Sequence, residues 1–371
     1  MRITFLLPRY GWHASGGFIV AYTYASLLAE RGHDVTVVHS RRPPPDYPEP
    51  VGLPARLRRW AGAVRDRISR PSHAYACIHP RVVMRYVPAL TTPCVPDADA
   101  VIATSWSTAE AALALPATRG VRHHLIQGYE TWYGASDRVD AVWRSPLYKI
   151  FIARWLLARA LELGVSERMA TVIPNAVSTV FRIHRAISAR PRRVAMLYSS
   201  APHKGGSTGL EILRRAHTEV PDLEAIFFGA EPAPRRLPAW ITYIRSAKPA
   251  QLASDVYNQS AVYLCPSLIE GWHLPATEAM ACGCAVVSSD NLGVREYATD
   301  GETALLYSAG DVDAGARALV EILLDDRRRH ALAEKGAARV ATFSWNRNAD
   351  TLAAVLERNV AADRSSALLS R

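Results

Sequence analysis

Residues 2–39 constrain the fold more than any other part of this chain. Residues 2–8, RITFLLP, are an apolar run closed by proline and read as a β-strand. A glycine loop with Ser15, Gly16 and Gly17 follows. Residues 18–31 then carry Ile19, Tyr22, Ala25 and Leu28 at helical spacing, and Gly32 stands where a helix-ending glycine belongs. Residues 34–39, DVTVVH, make the second strand. Strand, helix and strand in succession form a βαβ unit, whose strands run parallel because the connection crosses over.

The same alternation fills the rest of the chain. Short apolar strands are expected at 100–103, 125–127, 148–152 and 171–174, with a helix at 155–163. A polar linker, 182–193, precedes a second series. Its strands are expected at 194–198, 223–228, 261–265 and 285–288. Its helices are expected at 210–217, 251–259, 276–282, 313–324 and 327–342, with a long final helix at 346–360. The proline-rich stretch 43–54 cannot be regular structure. A chain of 371 residues is also too long for one ordinary core. The expectation is an α/β chain of two doubly wound, Rossmann-like domains facing a cleft, with ligands at the carboxyl ends of strands.

Composition narrows the class. The chain is 49% hydrophobic and 21% charged, as in soluble globular proteins, and no apolar run is long enough to span a membrane. The first residues lack the long apolar region and small-residue cleavage site of a signal peptide, which favours a cytoplasmic location. The five cysteines, Cys77, Cys94, Cys265, Cys282 and Cys284, contain no CxxC pair and no zinc spacing. They read as small buried residues in a reducing compartment.

The formal net charge is +10, and the excess is uneven. Ten arginines fall between Arg41 and Arg85, opposed only by Asp46, Glu49 and Asp66. The balance points to an anionic partner. Within it, 57–68 is a basic amphipathic helix candidate with Leu57, Trp60, Ala61, Val64 and Ile68 on one face. The stretch from Arg56 to Arg70 fits either a solvated arginine face or a helix lying on the inner face of a membrane. No nucleic-acid-binding motif accompanies it, so nucleic acid is not expected as a partner.

The chemistry concentrates between Ser267 and Tyr307, in SLIEGWHLPATEAMACGCAVVSSDNLGVREYATDGETALLY. Glu270 and Glu278 are separated by seven residues, with Gly271 and Pro275 between them and a helix starting near Pro275. A loop and helix N-terminus offer backbone N–H groups to a phosphate, and two carboxylates at different heights can accept from sugar hydroxyls.

Five features together resemble glycosyltransferase family 4. They are the glycine loop after the first strand, VIPNAV at the joint between halves, and the Lys-Gly of MLYSSAPHKGG. The E-x7-E spacing of Glu270 and Glu278 and the AMACGCAVV tail complete the set. The resemblance covers the whole chain and implies a GT-B fold, with an acceptor-side domain at 1–178 and a nucleotide-sugar domain at 179–345. Residues 346–371 would form a helix and tail crossing back to the first domain. It further implies transfer of a hexosyl or deoxyhexosyl group from a nucleoside-diphosphate donor to a saccharide, lipid-linked or small-molecule acceptor. That transfer would proceed with retention at the anomeric carbon and with no metal or other cofactor. LIQGYE is also similar to a subgroup that includes rhamnosyltransferases of cell-surface glycans.

Site residues carry over by the same likeness. Lys204 would supply a cation for the leaving diphosphate. Gly16 and Gly17 would let backbone N–H groups approach the donor. Glu270 would meet the donor sugar hydroxyls and Glu278 the ribose diol. The backbone of His273 and Leu274 would cap the pyrophosphate at the helix start, Gly271 would belong to the donor site, and Asn175 would approach the donor from the joint. Gln127 stands where the family usually has a histidine; it can hydrogen-bond a sugar but cannot act as a base near neutral pH. Catalysis would therefore rest on Glu270, Lys204 and Gln127 through positioning more than through an acid–base pair.

Other departures bear on the phosphate site. Tyr198 and Ser199 occupy positions where the family carries an arginine, and His273 replaces a usual glycine. These losses keep a second class open: an inactive member acting as a binding or scaffolding subunit. Glu130 reads as a surface charge or as an extra cleft residue. Two DxD patterns, Asp97 with Asp99 and Asp311 with Asp313, read as turn and helix-cap aspartates rather than metal ligands.

Overall fold

A computed structural model of the protein describes residues 1–10, 16–41, 77–131 and 136–369. The basic stretch from Arg56 to Arg70 lies outside the described residues. The chain divides into two compact units. One comprises Met1–Ile173 with Asn346–Arg371, and the other Pro174–Trp345.

The first unit is built on seven strands. They are β1 (Arg2–Leu7), β2 (Asp34–Ser40), β3 (Val83–Val87), β4 (Ala100–Ala103), β5 (Val121–Ile126), β6 (Tyr148–Phe151) and β7 (Ala170–Val172). Their order in the sheet is β3-β2-β1-β4-β5-β6-β7, and every neighbouring pair is parallel. The expected βαβ unit is present, with helix Gly16–Glu30 between β1 and β2. The core is apolar, with Leu6, Val38, Val101 and Ala103 from the strands packed against Ala109 and Ala112 of helix Trp106–Leu113.

The sequence reading finds only the end of β5, because His123 and His124 interrupt its apolar run while both stay buried. Strand β3 is an edge strand with Val83 half exposed, and its alternation is too weak to signal it. Helix Trp106–Leu113 starts at a capping box in which Ser105 and Thr108 exchange hydrogen bonds.

The final helix is longer than expected, Trp345–Leu369, and it belongs to the first unit. Arg358 donates to Tyr148 Oη at 2.8 Å, Asn359 Nδ2 lies 3.1 Å from His123 Nε2, and Arg364 pairs with Asp99 at 3.0 Å. Near its start, Arg31 pairs with Asp350 at 2.6 Å.

The second unit has six strands. They are β8 (Arg193–Leu197), β9 (Glu224–Gly229), β10 (Ile241–Arg245), β11 (Val262–Cys265), β12 (Ala285–Ser289) and β13 (Leu305–Tyr307). The order is β10-β9-β8-β11-β12-β13, again all parallel. Helices Gly206–Glu219, Val312–Leu324 and Asp326–Val340 contribute Ile212, Leu319 and Leu332 to its core. Residues 251–259, expected as one helix, are instead an α-turn, a π-turn (Leu252–Val256) and a 3-10 turn (Tyr257–Gln259) in series. Asn258 holds this irregular path. Its amide donates to Arg182 O and Ala253 O, while its oxygen accepts from His184 N. The result turns Tyr257 toward Glu278.

Candidate active site

In the second unit the strand order reverses between β8 and β11, so the loops leaving these neighbours part at their carboxyl ends. Ligands of open parallel sheets bind at such a switch point. Lys204 lies on the loop after β8 and Glu270 on the loop after β11. Gly205 brings the two loops together. It has φ 63°, and a Cβ there would fall 2.1 Å from Pro266 O. With that approach, Lys204 Nζ donates to both carboxylate oxygens of Glu270 at 2.8 Å.

Glu270 is buried, only 7% exposed, and its backbone is pinned as firmly as its side chain. Its N–H donates to Asn291 O at 2.9 Å, and it forms a parallel bridge with Leu292. Gly293 completes this contact, since a Cβ there would lie 2.7 Å from Glu270 O. Burial alone would raise the carboxyl pKa. Lys204 and His273 outweigh it and hold the carboxyl well below its ordinary range.

His273 takes the left-handed conformation, φ 74° and ψ 74°, that glycine adopts without strain. It caps helix Leu274–Ala281. Its ring is buried, with Nδ1 2.9 Å from Glu270 Oε1 and Nε2 2.9 Å from Tyr263 Oη. Burial opposes a proton on this ring, but Cys265 and Glu270 more than offset it and raise the pKa to about 10. The raised pKa favours the doubly protonated ring, whose two N–H groups could serve both contacts.

Glu278 sits half-buried on the same helix. Tyr257 Oη donates to its Oε2 at 3.0 Å, and its Oε1 accepts nothing from the described residues. Burial lifts its pKa to about 7, against the Tyr257 hydrogen bond. Gly271 is buried between Glu270 and Trp272, and Leu274 opens the helix. Asn175 is buried at the start of this unit, and its Oδ1 has no hydrogen-bond partner.

The positions that lack an arginine are occupied otherwise. Tyr198 stacks on Phe227. Ser199 Oγ donates to Glu231 at 3.0 Å, and the Ser200 N–H also donates to that carboxylate. An acid, Glu231, therefore stands beside the loop that carries Lys204. Glu231, Tyr257 and Tyr263 are site neighbours that sequence reasoning missed, since no local motif links any of them to the residue it touches.

In the first unit, Gly16 and Gly17 open helix Gly16–Glu30 beyond the carboxyl end of β1, and Gln127 follows β5. Gln127 Nε2 donates to Gly17 O at 3.1 Å, so these two are brought together. Glu130 is half-buried rather than a free surface charge. Its Oε2 accepts from Trp106 N at 2.8 Å, and burial raises its pKa to about 7.

The four DxD aspartates serve local roles. Asp97 pairs with Arg119, and Asp99 accepts from Arg2 N and pairs with Arg364. Asp311 caps helix Val312–Leu324 by accepting from Ala314 N, and Asp313 pairs with Arg215. Among the described residues, no three His, Cys, Asp or Glu side chains gather as a metal-holding group.

Comparison with known proteins gives this geometry a context. Residues 186–339 match the family model of glycosyl transferases group 1. A MMP alpha-(1->4)-mannosyltransferase of Mycolicibacterium hassiacum is 29% identical over 240 residues, which cover 62% of this chain and 58% of that protein. A D-inositol 3-phosphate glycosyltransferase of Rhodococcus opacus is 34% identical over 114 residues, 31% of this chain and 25% of that protein. The matches thus span a quarter to rather more than half of these relatives.

Among solved structures, a sucrose-phosphate synthase from Thermosynechococcus elongatus superposes with a TM-score of 0.70 at 18% identity, covering 97% of this chain and 99% of that one. HepE of Anabaena, solved with UDP-glucose, gives 0.71 at 14% identity, covering 96% and 100%. The chain therefore has the GT-B fold of two parallel-sheet, Rossmann-like domains, and its residues 186–339 match glycosyl transferases group 1.

Proposed function

We propose that this protein is a glycosyltransferase that moves a sugar from a nucleoside-diphosphate donor to a saccharide, lipid-linked or small-molecule acceptor. The observation that carries the reading is the Lys204–Glu270 ion pair at the switch point between β8 and β11, with Glu278 on the adjoining helix. As the glycosidic bond breaks, the leaving diphosphate gains negative charge. Lys204 supplies a cation for it, and the start of helix Leu274–Ala281 adds its partial positive charge. Glu270 accepts from donor sugar hydroxyls. The unengaged oxygen of Glu278 accepts from the ribose diol.

The finer reading is retention at the anomeric carbon without a metal. The charge development is then met by Lys204 and backbone N–H groups. Gln127, held on Gly17, positions rather than transfers a proton. HepE, of the same fold, was solved with UDP-glucose, which makes a UDP-sugar one donor to test. The basic stretch from Arg56 to Arg70 would serve an anionic membrane surface on the cytoplasmic side. The similarity of LIQGYE to rhamnosyltransferases makes a deoxyhexose a second donor class.

One observation favours the scaffold reading. Glu231 stands where a phosphate-binding cation is expected, so the diphosphate grip rests on Lys204 alone among the residues assigned to it. Thermal-shift titration with UDP, GDP, dTDP and ADP separates the readings. A diphosphate at about 100 times its Kd should add roughly 2.7 kcal/mol of stability. A response to one of them, followed by turnover of its sugar conjugate, supports transfer. No shift with any of the four supports the scaffold.

A further inference from the structure

His273 occupies a backbone conformation that disfavours it. Four non-glycine residues among those described have positive φ, and two of them, His273 and Leu292, adjoin Glu270. A left-handed conformation disfavours an L-residue by about 1–2 kcal/mol, and glycine there would relieve it. Such strain persists at sites where the side chain is used. At His273 the use is visible, because both ring nitrogens are engaged and the side chain is 2% exposed.

The charges around Glu270 show what that use is. Lys204 Nζ now holds both carboxylate oxygens. A bound diphosphate would compete for the same ammonium group. Tyr198 and Ser199 offer no cation to share the load, and Glu231 beside them is an acid. Without His273, Glu270 would lose its only cation, while still buried, whenever Lys204 turned to phosphate. Burying an unpaired carboxylate is strongly unfavourable.

We infer that His273 is a positioning residue whose ring, braced on Tyr263, holds Glu270 in place and frees Lys204 for the diphosphate. Two cations then face one carboxylate, and the surplus positive charge meets the phosphates. The groups facing the ring are Tyr263 and Cys265 from β11, Glu270 from the loop and Glu278 from its own helix, with Lys204 beyond Glu270. This inference rests on the glycosyltransferase reading for its ligand, but not for its charge state.

The test has two arms. In the first, nitrogen-15 NMR of histidine-labelled full-length protein reads His273 at pH 8 without ligand. Both ring nitrogens are expected to carry protons, with the Nδ1–H resonance moving in Glu270→Gln. A neutral His273 at pH 8 overturns the inference.

In the second arm, UDP-glucose, GDP-mannose, dTDP-rhamnose and ADP-glucose are titrated against wild type, His273→Gly, Glu270→Gln and the double variant, alongside the free diphosphates. Glycine fits the backbone at 273, and His273→Asn, which tolerates the left-handed form and keeps a donor, guards against misfolding. His273→Gly should weaken the nucleotide sugar about tenfold, as loss of one charge-assisted hydrogen bond implies. The free diphosphate should also weaken, by about threefold to tenfold, because Lys204 then stays on Glu270, and the Asn variant should fall between wild type and His273→Gly. In the Glu270→Gln background the same change should have little further effect. Unchanged affinity for both the sugar conjugate and the free diphosphate in His273→Gly, or full additivity with Glu270→Gln, overturns the inference while the glycosyltransferase reading stands. Failure of all four diphosphates to bind sinks that reading instead, and the NMR arm still decides the role of His273.

Discussion

Lys204 Nζ lies 2.8 Å from both carboxylate oxygens of Glu270, a partly buried pair assembled by two loops from neighbouring strands. The partners differ in exposure: the lysine side chain is 29% exposed and the carboxylate 8%. Removing one should therefore not equal removing the other. Lys204→Met leaves Glu270 paired with His273, whereas Glu270→Ala strands both cations. Thermal unfolding should rank wild type above Lys204→Met, and Lys204→Met above Glu270→Ala. Turnover should fall by about 10²–10³ in Lys204→Met, the range seen when one group stabilising developing charge is lost. Lys204→Met combined with Glu270→Gln should be less stable than Lys204→Met, because His273 then loses its carboxylate partner, and should recover no turnover. Normal turnover in Lys204→Met would remove this pair from the site.

Glu278 gives the site a pH dependence of definite sign. Its folded pKa is lifted from 4.5 to about 7 by burial. If Glu278 accepts from the ribose diol as proposed, it does so in its ionised form, so nucleotide affinity should rise between pH 6 and 8 and then level off. Stability runs the other way. The folded state keeps a proton that the unfolded state releases near 4.5, so this group's contribution declines from about pH 4.5 to 7. Glu278→Gln should flatten both trends and unfold later than wild type at pH 8. Isothermal titration of the responding diphosphate at pH 6 and pH 8 measures the first trend. An unchanged pH dependence in Glu278→Gln would place its origin elsewhere.

Much of this architecture is legible before the coordinates. Strand β4 is AVIA, buried at every residue, and such a run signals a parallel strand on its own. The E-x7-E spacing marks the loop and helix of Glu270 and Glu278. Legibility stops where polar residues are buried. His123, His124 and Lys149 sit inside β5 and β6, and no local pattern shows that neighbouring strands and the final helix bury them. The site is similar. Glu270 and Glu278 stand out by spacing, but Tyr257, Tyr263 and Glu231 reach the site from other strands and loops. The histidine at 273 is conspicuous as a replacement for glycine, yet only the fold shows that its ring turns inward onto Glu270.

The two buried histidines of β5 should make the first unit sensitive to acid. His123 is fully buried, with Nδ1 3.0 Å from Val121 O and Nε2 3.1 Å from Asn359 Nδ2. The tautomer that satisfies both contacts carries one proton, on Nδ1. Burial lowers its pKa from 6.5 to about 4, against hydrogen bonds to Val121 and Val101. Burial, then Lys149, lowers His124 to about 3, and its Nδ1 has no partner. A depressed pKa favours the folded state fully above 6.5 and progressively less as pH falls through the window down to the folded value. Each histidine should steepen the loss by about 1.4 kcal/mol per pH unit. Urea unfolding between pH 6 and 4.5 should show His124→Leu with a slope shallower by about that amount. An identical slope would mean that His124 is protonated in the folded protein.

Leu292 offers a test of strain beside the same site. It has φ 68° and ψ −53°, a region that a side chain disfavours, and it is 39% exposed. Its backbone pairs with Glu270, and Gly293 after it makes the close approach to Glu270 O. Strain of this kind is on the order of 1–3 kcal/mol, while glycine in the unfolded chain returns about 0.5–1 kcal/mol of the gain through entropy. Leu292→Gly should therefore stabilise the protein by about 1 kcal/mol, seen as a higher denaturant midpoint with an unchanged slope. Because the bridge to Glu270 is made by backbone, diphosphate affinity should hold. Lower stability in Leu292→Gly would show instead that the leucine side chain makes packing contacts worth more than the strain it imposes. Lower affinity with stability gained would show that the strained backbone itself sets the position of Glu270.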